Sequence, residues 1–134
     1  MTGLDTNVLV RYLAQDDPVQ ARITSRFIEE QCSAESPGFI NHIVLCELIW
    51  VLKRCYAVKQ EQVLQVIEQL LRTVQFKVQD PEIVWAALRQ SRKGKADFPD
   101  CLIGRINISH GCQKTVTFDQ AAAEIDGISL LETI

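Results

Sequence analysis

The 134-residue sequence has no surplus of positive charge, no paired-cysteine motif and no long uninterrupted hydrophobic run. A formal net charge of -3 at pH 7 argues against a protein held on nucleic acid by bulk positive potential, although a local basic patch could still guide a polyanion. The longest apolar run, 43–52, is interrupted by Glu47 and is about half the length needed to cross a bilayer. The amino terminus reaches an acid at position 5 without a basic start. We therefore expect neither a signal peptide nor a membrane span, and predict a soluble cytoplasmic protein.

Cysteine and histidine are too few and too scattered for a zinc site or a disulfide framework. The five cysteines are an odd number and contain no Cys-x-x-Cys pair. The apolar neighbours of Cys46, Cys101 and Cys112 predict reduced thiols in the core. His42 and His110 lack the spacing of zinc ligands, and neither has a recognisable partner for proton transfer.

With 47% hydrophobic residues, the chain can bury the core of one domain, which we place at 1–134. Strand and helix patterns alternate along it. The predicted strands are 2–5, 38–41, 74–78, 114–118 and 128–131, and the predicted helices are 8–14, 18–31, 43–56, 60–73, 81–91 and 97–110. Such alternation predicts an α/β fold with three layers, in which helices cover both faces of a mostly parallel sheet of about five strands. Helix 43–56 is apolar almost all round and is predicted to be central, while 92–95 is predicted to be a basic loop.

Four carboxylates stand in separate, otherwise apolar contexts. They are Asp5, Glu47, Asp100 and Asp119. A carboxylate beside a buried run costs free energy unless it is paired, hydrogen-bonded or bound to a cation. Asp5 and Asp119 fall at the carboxyl ends of predicted strands, where the sites of parallel sheets form, and Glu47 and Asp100 are predicted in the first turns of helices.

Helix capping is the alternative explanation for most of these acids. Asp5 and Asp119 each precede a short helical segment and could serve as N-caps. Asp97 is a still better capping candidate, because Pro99 follows just inside the helix, and the helix dipole favours an acid at position 100 in any case. Glu47 either points to solvent near a helix end or needs a partner that its own helical turn does not supply.

If the fold gathers these carboxylates, their mutual repulsion requires a divalent cation. Ligands that are all oxygen select Mg²⁺ or Mn²⁺ over zinc or copper. Such a centre suits hydrolysis of a phosphodiester by metal-activated water.

Four segments resemble those of PIN-domain ribonucleases, and more narrowly the VapC-type toxins of toxin–antitoxin pairs. They are 4–13, which opens Leu-Asp-Thr-Asn, then 47–52, 96–103 and 115–119, which closes Thr-Phe-Asp. Their order and spacing match that family over nearly the whole chain. One departure is Pro99-Asp100-Cys101, where relatives usually carry small residues.

The resemblance implies a catalytic pocket and its cofactor. The catalytic acids would be Asp5, Glu47, Asp100 and Asp119, with Asp5, Asp100 and Asp119 holding Mg²⁺ or Mn²⁺. Supporting roles would fall to Asn7, Asp97 and Thr117. The implied activity is metal-dependent endonucleolytic cleavage of RNA by a homodimer that a cognate VapB-type antitoxin inhibits.

Basic and aromatic residues are less informative. RNA-binding candidates are Arg11, Arg92, Lys93 and Lys95, for which a solvated loop or helix surface remains the alternative. Trp50 and Trp85 lie in apolar helical stripes and are predicted to be core residues, not base-stacking platforms.

Two other functions stay open. A phosphotransferase with Asp5 as nucleophile would need a second aspartate at the position of Asn7, so the sequence argues against it. A non-catalytic PIN fold that binds RNA or protein is compatible with the same fold, although all four acids are present.

Overall fold

The computed structural model describes residues 1–94 and 96–132. The chain forms two compact units, Met1–Gln79 and Asp80–Ile134. Every predicted helix and strand is present within about two residues of its expected bounds. The first unit contains β1 (Thr2–Gly3), α1 (Thr6–Ala14), α2 (Pro18–Gln31), β2 (Gly38–Ile40), α3 (His42–Cys55), α4 (Gln60–Arg72) and β3 (Phe76–Val78). The second contains α5 (Pro81–Lys93), α6 (Phe98–Ser109), β4 (Thr115–Thr117), a short 3₁₀ helix (Ala122–Glu124) and β5 (Ile128–Leu130).

The α/β class is confirmed, and the strands pair in two parallel ladders. In the first unit β2 lies between β1 and β3, and Gly38 pairs with Thr2 on one side and Phe76 on the other. In the second unit β4 pairs with β5, with Thr115 opposite Ile128. Within 1–94 and 96–132 no strand exceeds three residues, so each ladder ends quickly and the chain turns into the following helix or loop.

Helix ends follow the local signals in the sequence. The Asp17 side chain accepts a hydrogen bond from the Gln20 amide at 3.0 Å, and Pro18 opens α2, as an N-cap followed by proline should. Gly111 has φ +92° just beyond the end of α6, the left-handed conformation that favours glycine.

The buried side chains of the first unit come mainly from its helices. Leu9, Ile28, Leu45, Leu48, Val63 and Ile67 are at most 1% exposed. Helix α1 contacts both α2 and α3, and a hydrogen bond from Thr6 to Glu47 joins the start of α1 to α3. In the second unit α5 packs on α6, and Val84, Leu88, Phe98 and Leu102 are similarly buried.

Three packing predictions were wrong: a central α3, a core position for Trp50 and a core position for Cys112. Helix α3 is not enclosed: Ile43 is 73% and Trp50 57% exposed, and the Arg54 guanidinium lies 4.9 Å from the centre of the Trp50 ring. The prediction was based on the abundance of apolar residues in α3. It overlooked that positions 43, 47, 50 and 54 share one face, because residues three and four apart are neighbours on a helix. Cys112 is exposed because it follows the turn at Gly111, whereas Cys101 is buried; all five cysteines are free thiols.

No helix in 1–94 or 96–132 is long and apolar enough to cross a membrane.

Candidate active site

The first unit brings Asp5 and Glu47 to the same cavity. Strands β1 and β2 are parallel neighbours, so their carboxyl ends lie at one edge, and the Leu4 amide extends the pairing by donating to the Phe39 carbonyl at 2.9 Å. Asp5 follows at once, and α3 begins directly after β2. Glu47 lies in the second turn of α3, one turn later than predicted. A cavity of about 400 Å³ is lined by both carboxylates, together with Thr6, Asn7, Val10, Arg11, Val51, Cys55 and Tyr56.

Asp5 is a helix cap, and the cap occupies only one of its oxygens. Its Oδ1 accepts a hydrogen bond from the Thr6 amide at 2.8 Å at the start of α1. Within the described residues, no hydrogen bond or ion pair reaches Oδ2. Capping and ligand binding are therefore compatible at this residue.

Thr6 is a functional residue that the sequence reasoning missed. Its hydroxyl donates to Oε1 of Glu47 at 2.8 Å, and this contact supplies the partner that Glu47 lacks on its own helical turn. Glu47 is exposed on the open face of α3, so the hydroxyl orients a carboxylate that would otherwise rotate freely. The sequence could have indicated this role, because Thr6 is a hydroxyl residue directly after Asp5. A residue at the first position of α1 lies at the same edge of the sheet as Asp5.

The second unit gathers three more acids. Asp97 is the N-cap residue of α6, but its side chain makes no capping hydrogen bond to that helix. Asp100 lies in the first turn of α6 and is half-buried. Burial, and then the charges of Asp97 and Asp119, raise the pKa of the Asp100 carboxyl above its usual value. Asp97 and Asp119 therefore both lie close enough to Asp100 to repel its charge.

Asp119 is held in place by its neighbours. Its Oδ1 accepts from the amides of Ala121 at 2.9 Å and Ala122 at 3.1 Å, at the start of the 3₁₀ helix. The backbone amide of Asp119 donates to Oγ1 of Thr117 at 3.0 Å. Thr117 therefore helps to fix the main chain at Asp119. In the described residues nothing bonds to Oδ2.

The strand that precedes Asp119 is tied to α6. Asn107 of α6 donates from Nδ2 to Oγ1 of Thr115 at 2.9 Å, and a Cβ added at Gly104 would meet Ile128 of β5 at 3.2 Å. A glycine therefore lets α6 approach the β4–β5 ladder closely, with the later part of α6 against the start of both strands.

The donor set of each cluster suits a hard divalent cation. The acidic side chains in both clusters are carboxylates, which are the ligands that such cations prefer. A bound cation would also stabilise the ionised form of a carboxyl whose pKa is raised by its surroundings. Within 1–94 and 96–132 no three Asp, Glu, His or Cys side chains are arranged as a ready ligand set. One or two direct carboxylates with water completing the shell is the usual way in which Mg²⁺ binds.

Comparison with known proteins agrees with this picture. Residues 4–128 match the family model of the PIN domain. The chain belongs to the PIN-domain family. It is also similar to a protein named VapC ribonuclease from Aquifex aeolicus (strain VF5), with 26% identity over 118 residues, which cover 88% of this chain and 87% of that protein.

The remaining candidates of this PIN domain have mixed outcomes. Arg11 is held by Gln20, which accepts from its Nε at 2.7 Å, and by Asp16 at 3.4 Å. Arg92 and Lys93 belong to the last turn of α5 and not to a loop, because the helix runs two residues beyond its predicted end. Lys95 lies outside the described residues.

Asn7 lines the cavity beside Asp5 and Glu47. Its side chain makes no hydrogen bond within the described part of the chain, so its supporting role stays a prediction.

Proposed function

We propose that this PIN domain is a metal-dependent endoribonuclease that hydrolyses RNA phosphodiester bonds in the cytoplasm. We further propose that it is the toxin of a toxin–antitoxin pair, a homodimer inhibited by a cognate VapB-type antitoxin. Membership of the PIN family and similarity to a VapC ribonuclease support this proposal. The observation that carries the catalytic part is the cavity that Asp5 and Glu47 line together, with Glu47 held by Thr6. The raised pKa of Asp100, caused by burial and then by the charges of Asp97 and Asp119, supports it, because perturbed carboxyl groups are frequent at functional sites.

The proposed ligands of Mg²⁺ or Mn²⁺ are Asp5, Asp100 and Asp119. The bound ion would supply an activated water and stabilise the leaving oxygen of the cut phosphodiester. Asp5 and Asp119 each use Oδ1 for backbone amides, and the second oxygen of each is then the one available to a ligand.

Glu47 and the supporting residues would control position and proton transfer. Because the Thr6 hydroxyl holds Oε1 of Glu47, Oε2 remains to accept a proton from the attacking water. Thr117 fixes the Asp119 backbone, while Asp97 adds negative charge near Asp100 and so strengthens its attraction for a cation.

The test is cleavage of labelled RNA by the purified chain, freed of any partner, with Mg²⁺, with Mn²⁺ and with chelator. We expect cleavage that requires the ion and is lost in Asp100→Asn and in Asp5→Asn, each of which keeps the shape of the side chain. The matched control is Glu29→Gln, an equal change of charge at an exposed position of α2.

Cleavage that persists in chelator and in Asp100→Asn would refute the proposal. Binding of RNA without any cleavage would favour the non-catalytic PIN module. A phosphorylated Asp5 would favour the phosphotransferase.

A further inference from the structure

A basic cavity of about 310 Å³ lies between α5 and α6 in the second unit. It is lined by Ala86, Arg89, Gln90, Lys93, Arg105 and Asp126. Three of these side chains are cations and one is a carboxylate. The cavity therefore carries a local excess of positive charge, although the net charge of the chain is -3.

Arg105 is positioned in this cavity by a hydrogen-bond relay. Its Nε donates to Oε1 of Gln90 at 3.2 Å, and Nε2 of Gln90 in turn donates to the Asp126 carbonyl at 3.2 Å. Arg105 is half-buried, so its guanidinium is fixed by its Nε. The two terminal nitrogens carry the other N–H donors, and these have no partner in the described residues.

Ordinary structural roles do not account for all three cations. Lys93 lies in the last turn of α5, where a positive charge interacts favourably with the helix dipole. Arg89 lies one turn earlier and Arg105 is on the other helix, so that explanation does not extend to them. Within the described residues none of the three forms an ion pair.

We propose that this cavity binds phosphate groups of the RNA strand at a distance from the point of cleavage. The inference rests on the proposed ribonuclease function. A guanidinium with free terminal donors matches the oxygens of a phosphate, and Arg89 and Lys93, four residues apart, lie on one face of α5. A strand that follows this cavity would be held by its backbone and not by its bases.

The cavity and the acid cluster lie on different sides of α6. Arg105 follows Asp100 by five residues on the same helix, about 7.5 Å along its axis and about 140° around it. The cations therefore face away from Asp100 and do not neutralise it. Phosphates of the RNA strand at some distance from the scissile one would be held here.

The test is binding of a labelled single-stranded RNA in chelator, which prevents metal-dependent cleavage, measured by fluorescence anisotropy over a range of KCl concentrations. The variants are Arg89→Ala/Lys93→Ala, which removes two exposed charges, and Arg105→Lys, which keeps the charge but removes the planar guanidinium and its paired N–H donors. The control is Arg22→Ala/Arg26→Ala, an equal loss of charge on exposed positions of α2.

Two lost phosphate contacts should reduce the slope of log K against log[KCl] by about 1.4. We expect the double variant to bind about tenfold more weakly at low salt, Arg105→Lys to lose affinity with little change of slope, and the control to match the wild type. With Mg²⁺ present, the double variant should show a raised KM and an unchanged kcat.

A slope that falls equally in the double variant and the control would overturn the inference, as would equal binding by all variants. If the double variant loses binding of oligoglutamate but still binds RNA like the wild type, the inference is overturned and the cavity binds an acidic protein segment. If inorganic phosphate binds the cavity but the salt dependence of RNA binding is the same in the double variant and the wild type, the inference is overturned in favour of a free anion. If the slope falls as expected but no variant or wild type cuts RNA, the cavity is supported and the nuclease function fails.

Discussion

Asp119 allows its capping role to be separated from its proposed catalytic role. Asp119→Ala removes the acceptor of two backbone hydrogen bonds, from Ala121 at 2.9 Å and Ala122 at 3.1 Å. Loss of a side-chain cap costs about 0.5–2 kcal/mol. Since Asp119 is exposed, water can replace part of the lost bonding, and we expect a loss of about 1 kcal/mol in the free energy of unfolding.

Asp119→Asn keeps an oxygen in the place of Oδ1 but removes the charge. The amide can still accept from the two backbone N–H groups, so we expect stability within about 0.5 kcal/mol of the wild type. A neutral side chain is a much weaker ligand for a divalent cation, so cleavage of RNA should fall at least about a hundredfold, as in the alanine variant.

Urea unfolding followed by circular dichroism gives the stabilities, and initial rates of RNA cleavage in Mg²⁺ give the activities. The reasoning fails if Asp119→Asn retains wild-type cleavage, because the carboxylate is then only a cap. It fails equally if Asn and Ala lower stability by the same amount, because the hydrogen bonds to Oδ1 then contribute nothing.

Three further predictions concern other residues. Thr6→Val removes the hydroxyl that holds Glu47 and should lower the cleavage rate about tenfold with little change in the urea midpoint; an unchanged rate would contradict that role. In chelator, Asp100→Asn should be more stable than the wild type near pH 7 but not near pH 3. Because the pKa of Asp100 is raised, the folded chain binds this proton more tightly than the unfolded chain does. The stability of the wild type therefore falls as the pH rises from about 3.8, the ordinary pKa, through the raised pKa of the folded chain. Parallel curves of stability against pH for the variant and the wild type would contradict this prediction. Burial raises the pKa of the Cys101 thiol to about 11, so iodoacetamide near pH 8 should label exposed Cys55 and leave Cys101 unlabelled in peptide mass spectra, and the reverse order would refute the packing.

Local signals in the sequence predicted the secondary structure well. Asp17-Pro18 defined the start of α2 and Gly111 followed the end of α6, because capping and left-handed glycine are properties of a few adjacent residues. The end of α5 was missed, since the charged residues Arg92 and Lys93 are as compatible with a helix end as with a loop.

Tertiary exposure was harder to predict. The side chains of Ile43 and Trp50 are apolar, yet they share the open face of α3 with Glu47. Composition cannot indicate which face of an apolar helix lacks a partner. The Thr6–Glu47 contact was missed for the same reason: it joins residues 41 positions apart, and only the pairing of β1 with β2 brings them together.

The acids themselves were recognisable because each stands among apolar residues in the sequence. In the structure Asp5, Glu47 and Asp119 are exposed, and a cost is seen at Asp100, in its burial and its two acidic neighbours. The basic cavity gave no comparable signal, because Arg89, Lys93 and Arg105 are ordinary surface residues until α5 packs on α6.

The most direct test of the central claim is the binding of Mn²⁺, measured from the electron paramagnetic resonance signal of the free ion. We predict that the wild type lowers this signal saturably, that Asp100→Asn and Asp119→Asn bind at least about tenfold more weakly, and that Glu29→Gln binds as the wild type does. A wild type that cleaves RNA without binding Mn²⁺ or Mg²⁺, or an Asp100→Asn variant that binds with unchanged affinity, would contradict the account.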